Sequence, residues 1–137
     1  MNSFFDATSP YCSLTGRILI AALFVVSGWG KIHGYAGTQA YMQSAGVPGS
    51  LLPWVILLEL GGGIAIIAGV FTRPLALVLA GFSVVTGLLF HAGSAEAMQQ
   101  IMFLKNLGLA GGFLFLAANG AGPISLDHLR QRRRASS

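Results

Sequence analysis

Five side chains sit where hydrophobic surroundings would ordinarily exclude them: Lys31, Glu59, His91, Lys105 and Asn106. Glu59 is the most telling. It lies within LLPWVILLELGGGIAIIAGVF, residues 51–71, a stretch long enough to cross a bilayer core of about 30 Å as a helix. A carboxylate at that depth costs roughly 2.5–3.5 kcal/mol on insertion scales, so it faces a partner, a cavity or a ligand rather than lipid. Two lysines against one glutamate leave such a site net positive, which suits an anionic or carbonyl-bearing ligand. A neutral His91 beside Glu59 could also handle protons, because histidine titrates near working pH. The plainer reading is structural: Glu59 with Lys31 or Lys105 forms an intramembrane ion pair that fixes helix register, and His91 is an interfacial residue.

The composition dictates what must position these residues. Of 137 residues, 54% are hydrophobic and only 9% charged, against about 25% charged in a globular domain. So few charges cannot cover a soluble surface of this size. The apolar residues fall in four blocks, which makes the chain an all-α integral membrane four-helix bundle, one domain over residues 1–137. The expected spans are 14–32, 51–71, 74–91 and 100–118, with a basic tail over 123–137. A net charge of +4 is compatible with a nucleic-acid binder, but four of the eight basic residues lie in the single run RQRRR. Basic residues beside a span record topology, so no nucleic-acid partner is expected.

Along the chain, residues 1–15 read as a polar-aromatic leader with one charge, Asp6. Arg17 and Lys31 then bracket 13 uncharged residues, or about 20 Å of helix. At least one of these cations must snorkel or lie at depth against protein. A signal peptide fits poorly, since the leader is long and bulky Trp29 follows Ser27-Gly28. The loop over residues 33–50 allows a short helix from Thr38, a candidate N-cap, to Ser44, with Gly46 as a stop. Ser50 could cap the second span, where Pro53 is tolerated in the first turn. Thr72-Arg73-Pro74 is a tight link that makes spans two and three an antiparallel hairpin.

Arg17, Arg73 and the tail arginines fall on one side of a four-span topology, which places both termini in the cytoplasm. The depths then converge. Lys31 and His91 end their spans on the outer side, Glu59 lies about 12 Å inward from the outer end of its own, and Lys105 and Asn106 lie a few residues inside theirs. Each span thus contributes a polar group to the outer half of the membrane, and the five form one candidate pocket.

Other features read more plainly. Gly61, Ala65 and Gly69, and Gly108 with Gly112, have the spacing that lets helices approach closely. Gly120-Ala-Gly122 has Ser125 where a third dinucleotide-fold glycine would fall. Cys12 is the only cysteine, with neither a CxxC partner nor a lipoprotein context. Trp29, Trp54, Tyr35 and Tyr41 form an expected outer aromatic belt. His33 and His91 could in principle ligate haem, but they read as interfacial, and His128 lies on the opposite side. No haem, flavin or metal motif is expected, and the chain does not read as a stand-alone enzyme.

Taken in order, Arg17, Ser27-Gly28-x-x-Lys31, Ala45-Gly46-Val47-Pro48, Glu59-x-Gly61-Gly62, Gly69-x-x-Thr72-Arg73, His91, Lys105-Asn106 and Gly120-x-Gly122-x-x-Ser125-Leu126-Asp127 resemble the DoxX family of small bacterial membrane proteins. In length the chain is similar to its short inner-membrane members of the YphA type. The resemblance spans about Thr15 to Asp127. It implies a multi-pass four-helix bundle in the bacterial inner (cytoplasmic) membrane. The family takes its name from a subunit of a thiosulfate:quinone oxidoreductase, and other members are linked to redox-stress complexes. The resemblance therefore implies a quinone-linked accessory role, with quinone as the candidate ligand and a membrane redox protein as partner. The alternative is a non-catalytic scaffold, chaperone or lipophilic-ligand binder that packs against another membrane protein or a second copy of itself.

Overall fold

The four apolar blocks are four helices, and the computed structural model describes residues 2–137. Helix α1, Asn2–His33, carries the first span. Its 32 residues measure about 48 Å, well beyond the hydrocarbon thickness. The expected leader is therefore helical from Asn2 onward. Propagation from an existing helix adds one hydrogen bond per residue fixed, whereas nucleation is the costly step, so the leader extends the span rather than standing apart.

Helix α2, Tyr35–Ser44, lies in the first loop. Thr38 does not cap it; its hydroxyl donates back to Gly34 O, inside the helix. The second span, α3, runs Gly49–Ala68. It opens with a 3-10 turn at Gly49–Leu51 that Ser50 does not cap, and Pro53 sits in the first α turn. Gly69, at φ 75°, ends it. Val70 N donates to Ala65 O at 2.9 Å, the six-to-one bond of a Schellman cap that left-handed glycine allows. Three further helices follow: α4 at Thr72–Phe90, α5 at Ala97–Asn119 and α6 at Leu126–Ala135.

α1 packs chiefly on α3, and α4 on α5. One buried layer joins the two pairs: Ala21 and Phe24 from α1, Ile66 from α3, Ala76, Leu79 and Ala80 from α4, and Ala110 and Phe113 from α5. The Phe24 and Phe113 rings meet edge to face with centroids 5.3 Å apart. Leu57, Ile64, Leu77, Val85, Leu104 and Phe115 point outward, as side chains facing lipid do.

Spacing alone placed only some of the close contacts, Gly69 among them, where a Cβ would lie 2.8 Å from Arg17 Nη1. Gly61 is exposed, and a Cβ on Gly108 would meet nothing within 4 Å. The contacts fall instead at Gly28, where a Cβ would lie 2.9 Å from Leu60 N, and at Gly63, where it would lie 2.8 Å from Val25. Gly61 is two residues from Glu59, about 200° around the helix, so burying Glu59 turns Gly61 outward. Gly112 does lie at a contact, against Ile20.

Candidate functional site

Each end of the bundle holds a polar cluster. The end carrying α2 is the loop end, and the end carrying both termini is the tail end.

At the loop end, Gly28 lets α1 and α3 approach, and Lys31 lies one turn further along the same face. Its ammonium donates to both Glu59 oxygens at 3.1 and 2.9 Å and to Ser27 Oγ at 2.6 Å. Glu59 is 5% exposed. It sits in a π-helical turn, Leu57–Gly61. Such a turn inserts an extra residue into an α-helix and is often found at functional sites, although nothing in the local sequence marks it. Of the two lysines considered for Glu59, the partner is Lys31. Lys105 is exposed, and its Nζ lies 3.4 Å from Met102 Sδ.

The remaining two residues also have partners other than Glu59. His91 Nδ1 lies 2.6 Å from Gln99 Oε1. An amide oxygen can only accept, so Nδ1 carries the proton and Nε2 is the free nitrogen of the neutral ring. The expected His91–Glu59 contact is therefore absent. Asn106 Nδ2 donates to Thr86 Oγ1 at 3.2 Å, next to a tight α4–α5 approach at Gly87.

All five residues line one cavity of about 360 Å³, a volume within the usual range for small-molecule pockets. Its walls are otherwise mostly apolar, with Leu23, Phe24, Val55, Phe82 and Leu109 among them. Helix α2 roofs it with Thr38, Tyr41 and buried Met42. Tyr41, read from sequence only as a belt residue, stacks on Phe90 with centroids 5.3 Å apart. That contact ties the roof to the end of α4. His33 instead packs on Trp29 and does not line this cavity.

The tail end is built around Arg17, which is 1% exposed. Its Nη1 donates to Ile66 O at 3.1 Å and Ile67 O at 2.7 Å, and its Nη2 donates to Ile124 O. The first two are carbonyls at the C-terminal end of α3, where a cation complements the helix dipole. Arg17 is therefore a structural clasp. Asp127, singled out earlier only within the resemblance, completes it. Its carboxylate accepts from Phe71 N and Thr72 N, both at 2.9 Å, and its own amide donates to Gly69 O at 2.8 Å. The carboxylate thus caps α4 from 55 residues away and holds Phe71, a non-glycine residue at φ 48°. Partial burial pushes the Asp127 carboxyl up, but hydrogen bonds from Thr72 and Phe71 and the nearby Arg130 outweigh it, leaving the carboxyl below its ordinary value. Ser125 caps α6 by accepting from His128 N, which puts Asp127 in the first turn of that helix.

Comparison with known proteins agrees with the architecture. The sequence pattern of the DoxX family matches residues 12–92. The inner membrane protein YqjF of Escherichia coli (strain K12) is 54% identical over 120 residues, covering 88% of this chain and 92% of that protein. The inner membrane protein YphA of the same organism is 38% identical over 130 residues, covering 90% and 93%. No solved structure matches the chain.

Proposed function

The chain belongs to the DoxX family and is a multi-pass protein of the inner membrane; we propose that it binds a quinone-type ligand at its loop end as an accessory of a membrane redox system. The observation that carries this reading is the cavity itself. It is apolar enough for a lipophilic ring and is reached by polar groups from all four spans. Lys31 is held by Glu59 and Ser27, so Lys105 is the cation left to polarise a ligand carbonyl. The proton role falls to His91 alone, through Nε2, because Glu59 is committed to Lys31. None of these side chains carries electrons, so a partner subunit would deliver them. In this reading the tail end faces the cytoplasm, in keeping with its arginines.

The test is quinone binding by purified protein beside Lys105→Met and Glu59→Gln, with folding followed by thermal melt. Lost binding by Lys105→Met at an unchanged melt supports the reading. Absence of binding by the wild type overturns it.

One observation favours a second reading, a non-catalytic scaffold: the Lys31–Glu59 pair is closed on itself, as a register lock would be. Under that reading Glu59→Gln lowers the melt and changes nothing else.

A further inference from the structure

The loop-end cavity carries more hydrogen-bonding groups than it uses for itself, and the kind left over distinguishes one ligand from another. Ser83 Oγ donates to Leu79 O at 2.8 Å and Thr38 Oγ1 to Gly34 O at 2.9 Å, so both hydroxyl protons are committed to the backbone. Lys31 and Glu59 are spent on each other. What remains is the Lys105 ammonium, a donor, the Tyr41 hydroxyl, which serves as either, and two acceptors, His91 Nε2 and Asn106 Oδ1. Neither acceptor has a donor among the described residues, and neither is sealed from a ligand. The buried side-chain polar atoms without a partner there are Arg17 Nε and Thr72 Oγ1 alone.

A neighbour fixes which way the Asn106 amide faces. Thr86 Oγ1 donates its one proton to Phe82 O at 2.9 Å, a turn back in α4, so toward Asn106 it can only accept. The amide therefore turns its nitrogen to Thr86, at 3.2 Å, and leaves Oδ1 without a donor. Turning the amide over would set two acceptors against each other unless Thr86 gave up its backbone bond. Asn106 is also held close to α4, since a Cβ on Gly87 would lie 3.2 Å from Asn106 Cβ. Gln99, the partner of His91, precedes Asn106 by two turns of α5, about 10 Å along one face. The two free acceptors thus sit at two heights of one strip, as the two ends of a para-substituted ring do.

We propose that the cavity binds the reduced form of its ligand, a hydroquinone, more tightly than the quinone, and that Asn106, positioned by Thr86, makes the distinction; this rests on the quinone-type ligand proposed above and adds its oxidation state. One hydroquinone hydroxyl donates to Asn106 Oδ1 and the other to His91 Nε2. Each hydroxyl oxygen still accepts, one of them from Lys105. A quinone offers carbonyls only, so it satisfies Lys105 and leaves both protein acceptors facing acceptors. A site that recognises a hydroxyl penalises the analogue lacking it, because the site's own polar groups are then left unpaired.

The full chain in detergent is titrated anaerobically with a decyl-tailed benzoquinone, its hydroquinone and the hydroquinone dimethyl ether, and the affinities are read by calorimetry. The hydroquinone is expected to bind about tenfold tighter than either of the others, the worth of one well-made hydrogen bond. Thr86→Val keeps the side chain's shape but frees the amide to turn, and Asn106→Leu removes the amide. Each should bring the hydroquinone-to-quinone ratio close to one. A quinone or an ether that binds wild type as tightly as the hydroquinone overturns the preference and leaves the quinone-type ligand in place. A tenfold ratio kept by both variants overturns the role given to Asn106. Absence of binding by all three overturns the quinone-type ligand itself, and the preference falls with it. If Asn106→Leu melts lower than the wild type, the ratio in Thr86→Val, whose amide is intact, decides.

Discussion

Helix α1 carries a cation at each end of its span, and the two are satisfied by different kinds of partner. Lys31 finds a side chain, Glu59, at the loop end. Arg17 finds main-chain carbonyls at the tail end, two from the end of α3 and one from the segment leading into α6. Backbone acceptors are present whatever the sequence, so the Arg17 site needs only a guanidinium and the correct meeting of three segments. The Lys31 site needs a specific residue on another helix, and it leaves His91, Lys105 and Asn106 facing a cavity. The tail end uses its polar groups to close the chain on itself, whereas the loop end keeps some of them available.

That contrast can be broken experimentally, beginning with its stronger arm. Arg17→Met removes every donor to three carbonyls, and chemical unfolding in detergent should register a loss of about 5 kcal/mol. A small loss would mean that water or lipid satisfies those carbonyls as well. Lys31→Met leaves Glu59 unpaired and should cost about 3–4 kcal/mol in the same assay. Adding Glu59→Gln to it should recover about half or more, since the penalty is mainly an uncompensated charge. No such recovery is expected for Arg17→Met from any single carboxylate substitution, which sharpens the distinction between the two ends.

Asp127 should give a smaller and pH-dependent effect. Its carboxyl is held below the ordinary value in the folded chain. The stability it contributes is therefore complete above about pH 3.9, the unfolded value, and is lost as pH falls through the lower folded value. Asp127→Asn should cost about 1 kcal/mol near neutrality, as loss of a helix cap does, and should flatten the acid limb of a melt-versus-pH curve. A mutant curve parallel to the wild type would remove Asp127 from the clasp. The smallest stability effect belongs to Lys105→Met. With no carboxylate to release, it should change the unfolding free energy by less than about 0.5 kcal/mol.

Several of these features were legible from residue type and depth. The spacing of Arg17 and Lys31 already required a cation held against protein, and Glu59 announced itself by its position within an apolar run. What misled was periodicity applied without orientation. The Gly61, Ala65 and Gly69 stripe has packing spacing, yet Gly61 turns outward because Glu59, about 200° away, turns in. Gly28 has Phe24 and Ile32, not small residues, four positions to either side, yet it makes the contact that brings Lys31 to Glu59. Asp127 gave no sign of capping a helix 55 residues earlier, because a cap that distant exists only once the chain has closed.

By itself the sequence determined the membrane class, the four helices and the position of each polar group along its helix. Hydrophobic run length and helical rise are local properties that survive any packing arrangement. Only the tertiary structure decided that Lys31 rather than Lys105 pairs with Glu59, that His91 turns to Gln99, and that Arg17 binds backbone. Depth fixes a residue along the membrane normal and leaves its azimuth free. Azimuth is set by which helices touch, and so by contacts such as Gly28 on Leu60 and Ile20 on Gly112.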